Sequence, residues 1–228
     1  EHLRSTADLV LWEAGQTQKR LQAGLDHLNA DPEALRCFRF MNQVMRDQRI
    51  ASQIAAERAS DPALTLEQAR DRVASLGEGA ASWRPFQLAF ILMQLGALTD
   101  PAAALRSDEH QARVELLFFP TGGGKTEAYL GLAAYTFAIR RRQGVVESAD
   151  GPLDGRDGVA VLMRYTLRLL TAQQFQRATA LVCAAELARL ADEQTWGSEP
   201  FRIGLWVGTD VSPKRFEEAD EQLRKANE

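Results

Sequence analysis

One stretch of this 228-residue chain reads Val114-Glu115-Leu116-Leu117-Phe118-Phe119-Pro120-Thr121-Gly122-Gly123-Gly124-Lys125-Thr126. Its apolar first half, up to Phe119, is typical of a strand buried on both faces of a parallel sheet. Three glycines follow, and Lys125 opens an amphipathic helix that we expect to end at Arg142. A strand, a glycine turn and a helix in this order predict a phosphate-binding loop.

The predicted loop carries the chemistry that a nucleoside triphosphate needs. Crowded negative charge is best bound by backbone N–H groups without side chains in the way, and Gly122, Gly123 and Gly124 meet that need. Lys125 would reach the β and γ phosphates, and the Thr126 hydroxyl would ligate Mg²⁺. We therefore expect ATP and Mg²⁺ as cofactors, with Lys125 and Thr126 as catalytic residues.

Further strands and helices are expected to alternate around this loop. Short apolar runs predict strands from Val159 to Met163 and from Ile203 to Val207. Helical periodicity predicts helices from Pro85 to Leu98 and from Thr171 to Ala191. Repeated β-α-β units imply an α/β fold with a parallel sheet flanked by helices. The polar residues 143–158 are expected to form a surface loop.

The N-terminal part has a different character. Up to about Leu76, apolar residues recur at helical spacing and β-branched residues are scarce, which predicts three or four helices. Asp31-Pro32 and Asp61-Pro62 each place a capping residue before proline, and Thr65 to Gln68 fits a capping box. A small, glycine-rich segment follows. We therefore divide the chain into an all-helical region, 1–80, and an ATP-binding region, 81–228.

Composition narrows the class of protein. The chain has 45% hydrophobic and 25% charged residues, a formal net charge of -4, and no apolar run long enough for a membrane span. We expect a soluble, cytoplasmic protein without a membrane partner. Its two cysteines are expected to be buried free thiols. The three histidines are isolated, so a protein-bound transition metal is not indicated.

A second motif lies upstream of the loop, at Arg84-Pro85-Phe86-Gln87. It resembles the signature with which many helicases of superfamily two recognise adenine, since one glutamine amide can both donate to and accept from that base. An ordinary helix start with proline in its first turn would look similar, so both interpretations stay open.

A third motif follows the second predicted strand. Arg164, Thr166, Arg168 and Gln173 supply cations, hydroxyls and amides of the kind that bind a sugar-phosphate backbone without reading bases. The alternative is that Arg164 and Arg168 pair with carboxylates inside the fold. For Arg140-Arg141-Arg142, helix capping and solvation are favoured over nucleic-acid contact.

Together, these three motifs resemble superfamily-two helicases, and in particular the helicase-like DrmA family of the bacterial DISARM anti-phage system. The resemblance implies RecA-like lobes, DNA as a partner, a second protein subunit and a role in phage defence. The sheet of residues 81–228 would then belong to a first RecA-like lobe. The full set predicted to bind nucleotide is Arg84, Phe86, Gln87, Thr121, Gly122, Gly123, Gly124, Lys125, Thr126 and Glu127.

The acidic motif that such a motor needs for Mg²⁺ is not evident. Asp192-Glu193 and Asp220-Glu221 lie in charged helical surroundings, and we interpret both as solvated helix faces. We therefore expect part of a longer ATPase, a DNA helicase or translocase, which would be inactive without the acidic motif and a second lobe. The alternatives are a nucleotide-gated DNA-binding scaffold with little hydrolysis and a small-molecule phosphotransferase.

Overall fold

The computed structural model describes residues 2–120, 122–148, 151–156, 158–165, 168–206, 213 and 215–226. Helices dominate this part of the chain. The helices are α1 (His2–Ala30), α2 (Pro32–Ser60), α3 (Leu66–Ala74), a 3-10 turn (Gly77–Ala80), α4 (Pro85–Thr99), α5 (Ala104–Ser107), α6 (Lys125–Gln143), α7 (Arg168–Ala191), α8 (Glu193–Trp196) and α9 (Phe216–Ala226). Strands β1 (Val145–Ser148) and β2 (Gly151–Asp154) form an antiparallel hairpin.

The helix starts follow from local capping. The Asp31 side chain accepts hydrogen bonds from the N–H groups of Glu33 and Ala34, and Pro32 occupies the first turn of α2. Thr65 and Gln68 form the predicted capping box of α3. Asp61 was expected to begin a helix, but it terminates α2 instead, with its N–H donating to the carbonyl of Glu57.

The core lies where α2, α4 and α6 meet, with α7 packed on α2. Its largest fully buried side chains include Met41 of α2, Ile91 and Leu95 of α4, and Tyr135 of α6. The Tyr135 hydroxyl and the Thr99 hydroxyl lie 2.6 Å apart, and His27 Nε2 lies 2.9 Å from Thr99. This chain of hydrogen bonds joins α6, α4 and α1, and so fixes the helix that follows the glycine loop.

The predicted parallel sheet is wrong for the described residues, in which the hairpin is the only sheet. Residues 114–119, 159–163 and 203–206, which we expected to be strands, have no strand assignment. Val114 is 100% exposed and Trp206 is 99% exposed. Apolar side chains stabilise a strand only when neighbouring strands pair with its backbone and another layer of the protein covers its faces. The RecA-like parallel sheet is therefore not the fold observed here.

The hairpin was also missed, because it lies in the stretch that we expected to be a surface loop. Val145 pairs with Asp154, and Ser148 pairs with Gly151. The predicted helices were better placed: α4, α6 and α7 begin or end within a few residues of the expected positions. The division of the chain near residue 80 stays a prediction, since α2 on one side of it shares its core with α4 and α6 on the other.

Candidate nucleotide site

The glycine loop is shaped by backbone conformations that favour glycine. Gly122 and Gly124 have φ angles of 80° and 89°, in the left-handed region that L side chains rarely adopt. The N–H of Gly123 donates to the carbonyl of Pro120 over 3.1 Å, which closes a tight turn. Helix α6 starts directly afterwards at Lys125. The loop therefore ends at a helix N-terminus, where unpaired N–H groups favour the binding of an anion.

The structure brings the upstream motif against this loop. Arg84 Nη1 donates to the carbonyl of Gly123 over 2.8 Å, and Gln87 Nε2 donates to the carbonyl of Gly124 over 2.7 Å. The rings of Phe86 and Phe119 are stacked with their centroids 4.0 Å apart. Two sequence motifs that we assigned to one nucleotide site thus lie in direct contact.

Gln87 is more constrained than the adenine interpretation suggests. Its side chain is buried, and its Oε1 accepts a hydrogen bond from the N–H of Arg84 over 2.8 Å at the start of α4. Both ends of the amide are therefore engaged by the protein. In this geometry Gln87 stabilises the start of α4 and also positions the last loop glycine. The helix-start alternative therefore describes its contacts. Adenine recognition by Gln87 stays a prediction.

Lys125 turns back over the loop. Its ammonium group donates to the backbone carbonyls of Phe119 and Pro120, with the second bond at 3.2 Å. The lysine charge is thereby held at the loop rather than in bulk solvent. Thr126 lies half-buried in the first turn of α6. Thr121 falls outside the described residues.

Glu127 forms an ion pair that sequence reasoning did not find. Its Oε1 accepts a hydrogen bond from Nη2 of Arg177 on α7, fifty residues along the chain. Its other oxygen, Oε2, is buried without a hydrogen-bond partner among the described residues. The same oxygen lies 3.5 Å from where a Cβ would stand on Gly124. A carboxylate and its cation therefore border the loop.

The residues predicted to contact nucleic acid are only partly described. Arg164 and Gln173 are exposed. Thr166 and the side chain of Arg168 lie outside the described part. Burial raises the pKa of the Tyr165 hydroxyl, and the nearby positive charge of Arg177 partly offsets that rise. The nucleic-acid role of this segment stays a prediction.

Two of the three consecutive arginines of α6 make tertiary contacts, where we had favoured capping and solvation. Arg141 lies 4.0 Å from the ring centroid of Phe201 and donates to the carbonyls of Trp196 and Glu199. Arg142 donates to Glu33 over 2.6 Å. This hydrogen bond lowers the pKa of the Glu33 carboxyl. Both arginines anchor the fold on the far side of α6 from the loop end.

Sequence reasoning also missed Arg189, which is 4% exposed. Its guanidinium group bonds to the carboxylates of Glu186 and Glu193 and to the carbonyl of Gly197. The hydrogen bond that Arg189 donates to Glu186 has the largest effect on the pKa of Arg189 and raises it. The Glu-x-x-Arg-x-x-x-Glu spacing, with one carboxylate three residues before the arginine and another four residues after it, could have indicated this cluster.

The two cysteines, both expected to be buried, differ in exposure. Cys37 is buried, but Cys183, which we expected to be buried, is exposed. Among the described residues no group of three or more possible ligands could hold a metal ion. In the same residues, helices of sufficient length and apolar character to cross a membrane are lacking.

Comparison with known proteins relates almost the whole chain to a longer protein. It is 34% identical over 220 residues to "DISARM protein DrmA" of Bacillus paralicheniformis, a match that covers 96% of this chain and 18% of that protein. The chain thus spans about a fifth of the length of this relative. No family model matches the chain, and no solved structure matches it. At this level of identity over nearly its entire length, the chain is related to DrmA.

Proposed function

We propose that this chain is the ATP-binding part of a nucleic-acid-dependent ATPase, a DNA helicase or translocase that acts in DISARM anti-phage defence together with a protein partner. The observation that carries the proposal is the contact between the glycine loop and the Arg84-to-Gln87 motif. The relationship to DrmA supports the defence role and the partner subunit. ATP and Mg²⁺ are the proposed cofactors, and DNA is the proposed polymer.

The loop supports triphosphate binding without reference to a parallel sheet. Its left-handed glycines, Gly122 and Gly124, shape a turn that ends where α6 begins, so the unpaired N–H groups in the first turn of α6 are the proposed phosphate donors. Lys125 adds the positive charge, and Thr126 adds a hydroxyl suited to Mg²⁺. Arg84 and Gln87 fix the carbonyls of Gly123 and Gly124, so these N–H groups need little reorganisation when an anion arrives.

One specific observation favours a second function, a nucleotide-gated DNA-binding scaffold with little hydrolysis. The late acidic pairs are engaged in helical contacts: Asp192 caps α8, Glu193 pairs with Arg189, and Asp220 pairs with Arg224. Glu221 pairs with Lys225 in the same way. Each of these four carboxylates is thus already engaged by a partner within the protein. A scaffold of this kind would bind ATP and respond to it without rapid turnover.

The experiment that separates the two is ATP turnover by the full-length protein, with and without single-stranded DNA. Wild-type protein and Lys125→Ala are compared at saturating ATP and Mg²⁺. We expect DNA to stimulate turnover in the wild type, and we expect the variant to lose that stimulation. DNA affinity that changes with ATP, without stimulated turnover, would support the scaffold. An absence of any ATP effect on binding or turnover would overturn both functions.

A further inference from the structure

The carboxylate of Glu127 creates an electrostatic problem in a site for a nucleotide polyphosphate. It lies in the first turn of α6, two residues after the lysine of the loop. A negative charge there suits the helix dipole. The same charge repels the phosphates that the loop is proposed to bind, because like charges within a few ångströms disfavour each other.

Arg177 compensates that charge. Its guanidinium group bonds to Oε1 of Glu127, and the two side chains are 39% and 25% exposed. Partial burial makes the pair less screened than a surface pair. The second oxygen of Glu127 remains next to Gly124, so the carboxylate borders the loop while Arg177 holds its other side.

The position of Arg177 connects this pair to the segment predicted to contact nucleic acid. Arg177 lies on α7, and this helix also carries Arg168 and Gln173 of that segment. Gln174, one turn earlier on the same helix face, has a buried Oε1 without a hydrogen-bond partner among the described residues. Because Arg177 is part of α7, a shift of this helix would move the guanidinium group that neutralises Glu127.

We propose that Arg177 is a positioning residue that neutralises Glu127 beside the phosphate loop and thereby links nucleotide affinity to the position of α7. This inference rests on the proposed function, since it concerns nucleotide binding at the same loop. It assigns no chemical step to Arg177. Arg177 lies outside the three sequence motifs, and it acts on the nucleotide only through Glu127.

The test is a double-mutant cycle in the full-length protein, with a fluorescent ATP analogue and Mg²⁺ as the probe. Arg177→Ala exposes the phosphates to an uncompensated carboxylate and is expected to weaken binding about tenfold. Glu127→Gln removes the repulsion and is expected to tighten binding. In the Glu127→Gln background, Arg177→Ala should then have little further effect. Arg177→Lys restores the charge and should recover most of the affinity.

Two controls separate this role from a structural one. Arg72→Ala removes one cation from an exposed pair between α3 and α2, so it tests for a general effect of net charge. Melting temperatures of all variants test for loss of fold, which Glu127→Gln could not rescue. Raising the salt concentration from about 0.05 to about 0.5 M should shrink the effect of Arg177→Ala, because screening shortens the reach of the carboxylate.

The outcomes distinguish the inference from the proposed function. If the wild type binds the analogue, Lys125→Ala does not, and Arg177→Ala binds like the wild type, the inference is overturned and the proposed function stands. An equal loss from Arg177→Ala in both Glu127 backgrounds also overturns the inference. If the wild type does not bind the analogue at all, the proposed function fails and the inference fails with it.

Discussion

Gly124 is the residue on which the loop and the upstream motif converge. Its φ angle of 89° lies in the left-handed region, and its carbonyl accepts the amide of Gln87. A Cβ at this position would stand 2.8 Å from Gln87 Nε2. Any larger residue therefore meets two penalties, backbone strain and displacement of the amide that holds the loop.

Gly124→Ala is expected to destabilise the fold by about 1–3 kcal/mol and to weaken ATP binding, because the loop can no longer hold its turn. Chemical denaturation and equilibrium binding of a fluorescent ATP analogue measure the two effects. Gly79→Ala is the matched control, since a Cβ there meets nothing within 4 Å. Unchanged nucleotide affinity in Gly124→Ala would contradict the role given to this glycine.

At the scale of single residues, the sequence indicated the loop glycines and Lys125 because their chemistry is local. The hydrogen-bond partners of Glu127 and Gln87 could not be predicted from the sequence in the same way. Arg177 lies fifty residues from Glu127, and the Gln87 amide meets a carbonyl thirty-seven residues away. Such contacts depend on how helices pack, which spacing within one helix does not specify.

At the scale of elements, α1 and α4 approach each other closely at a glycine. A Cβ on Gly24 would stand 2.2 Å from the carbonyl oxygen of Leu92, so the two backbones touch at this glycine. Gly15 lies in the same helix, and a Cβ there meets nothing within 4 Å. The two glycines therefore separate packing from helix propensity within one element.

Gly24→Ala is expected to destabilise the protein by about 1–3 kcal/mol, because α1 must move away from α4. Gly15→Ala should instead stabilise it by up to about 1 kcal/mol, because alanine is the better helix former and no neighbour obstructs it. Urea denaturation of both variants against the wild type measures the difference. Two shifts of the same sign would contradict the close approach of α1 to α4.

The elements also show which sequence signals were sufficient. Pro85 and Gly124 predicted the starts of α4 and α6, because proline and glycine restrict or free the backbone dihedral angles at their own positions. The apolar runs at residues 114–119 and 159–163 predicted strands that are not observed. A short apolar run favours an extended backbone conformation. It becomes a strand only when other segments of the chain supply hydrogen-bonding partners for its backbone. The hairpin was not predicted, because the many polar residues around Val145 and Val146 are more typical of a surface loop than of a strand.

At the scale of the whole molecule, the helical core holds two ionisable groups in their neutral forms. Burial raises the pKa of the Cys37 thiol from 9.0 to about 12, and burial likewise raises the pKa of Tyr135. Thr99 hydrogen-bonds to the Tyr135 hydroxyl and partly offsets that rise. Both groups therefore keep their protons in the folded protein at pH values where the unfolded chain releases them.

This difference predicts alkaline instability with a definite sign. Below pH 9 the Cys37 thiol is protonated in both states, so its contribution to folding stability is fully present. As pH rises from 9 toward 12, the unfolded chain loses the proton first, and the free energy of unfolding falls by up to about 1.4 kcal/mol per pH unit for this group. Denaturation curves from pH 8 to pH 10.5 measure the slope.

Cys37→Ala should make that slope shallower, because only Tyr135 then retains a raised pKa in the core. The variant also loses some packing, so the comparison rests on the change in stability with pH and not on its absolute value. Cys183→Ala is the matched control: Cys183 is exposed, and its removal should leave the wild-type slope. If Cys37→Ala and the wild type lose stability equally between pH 9 and 10.5, the thiol is accessible to water, and the packing of α2 against α6 is looser than observed.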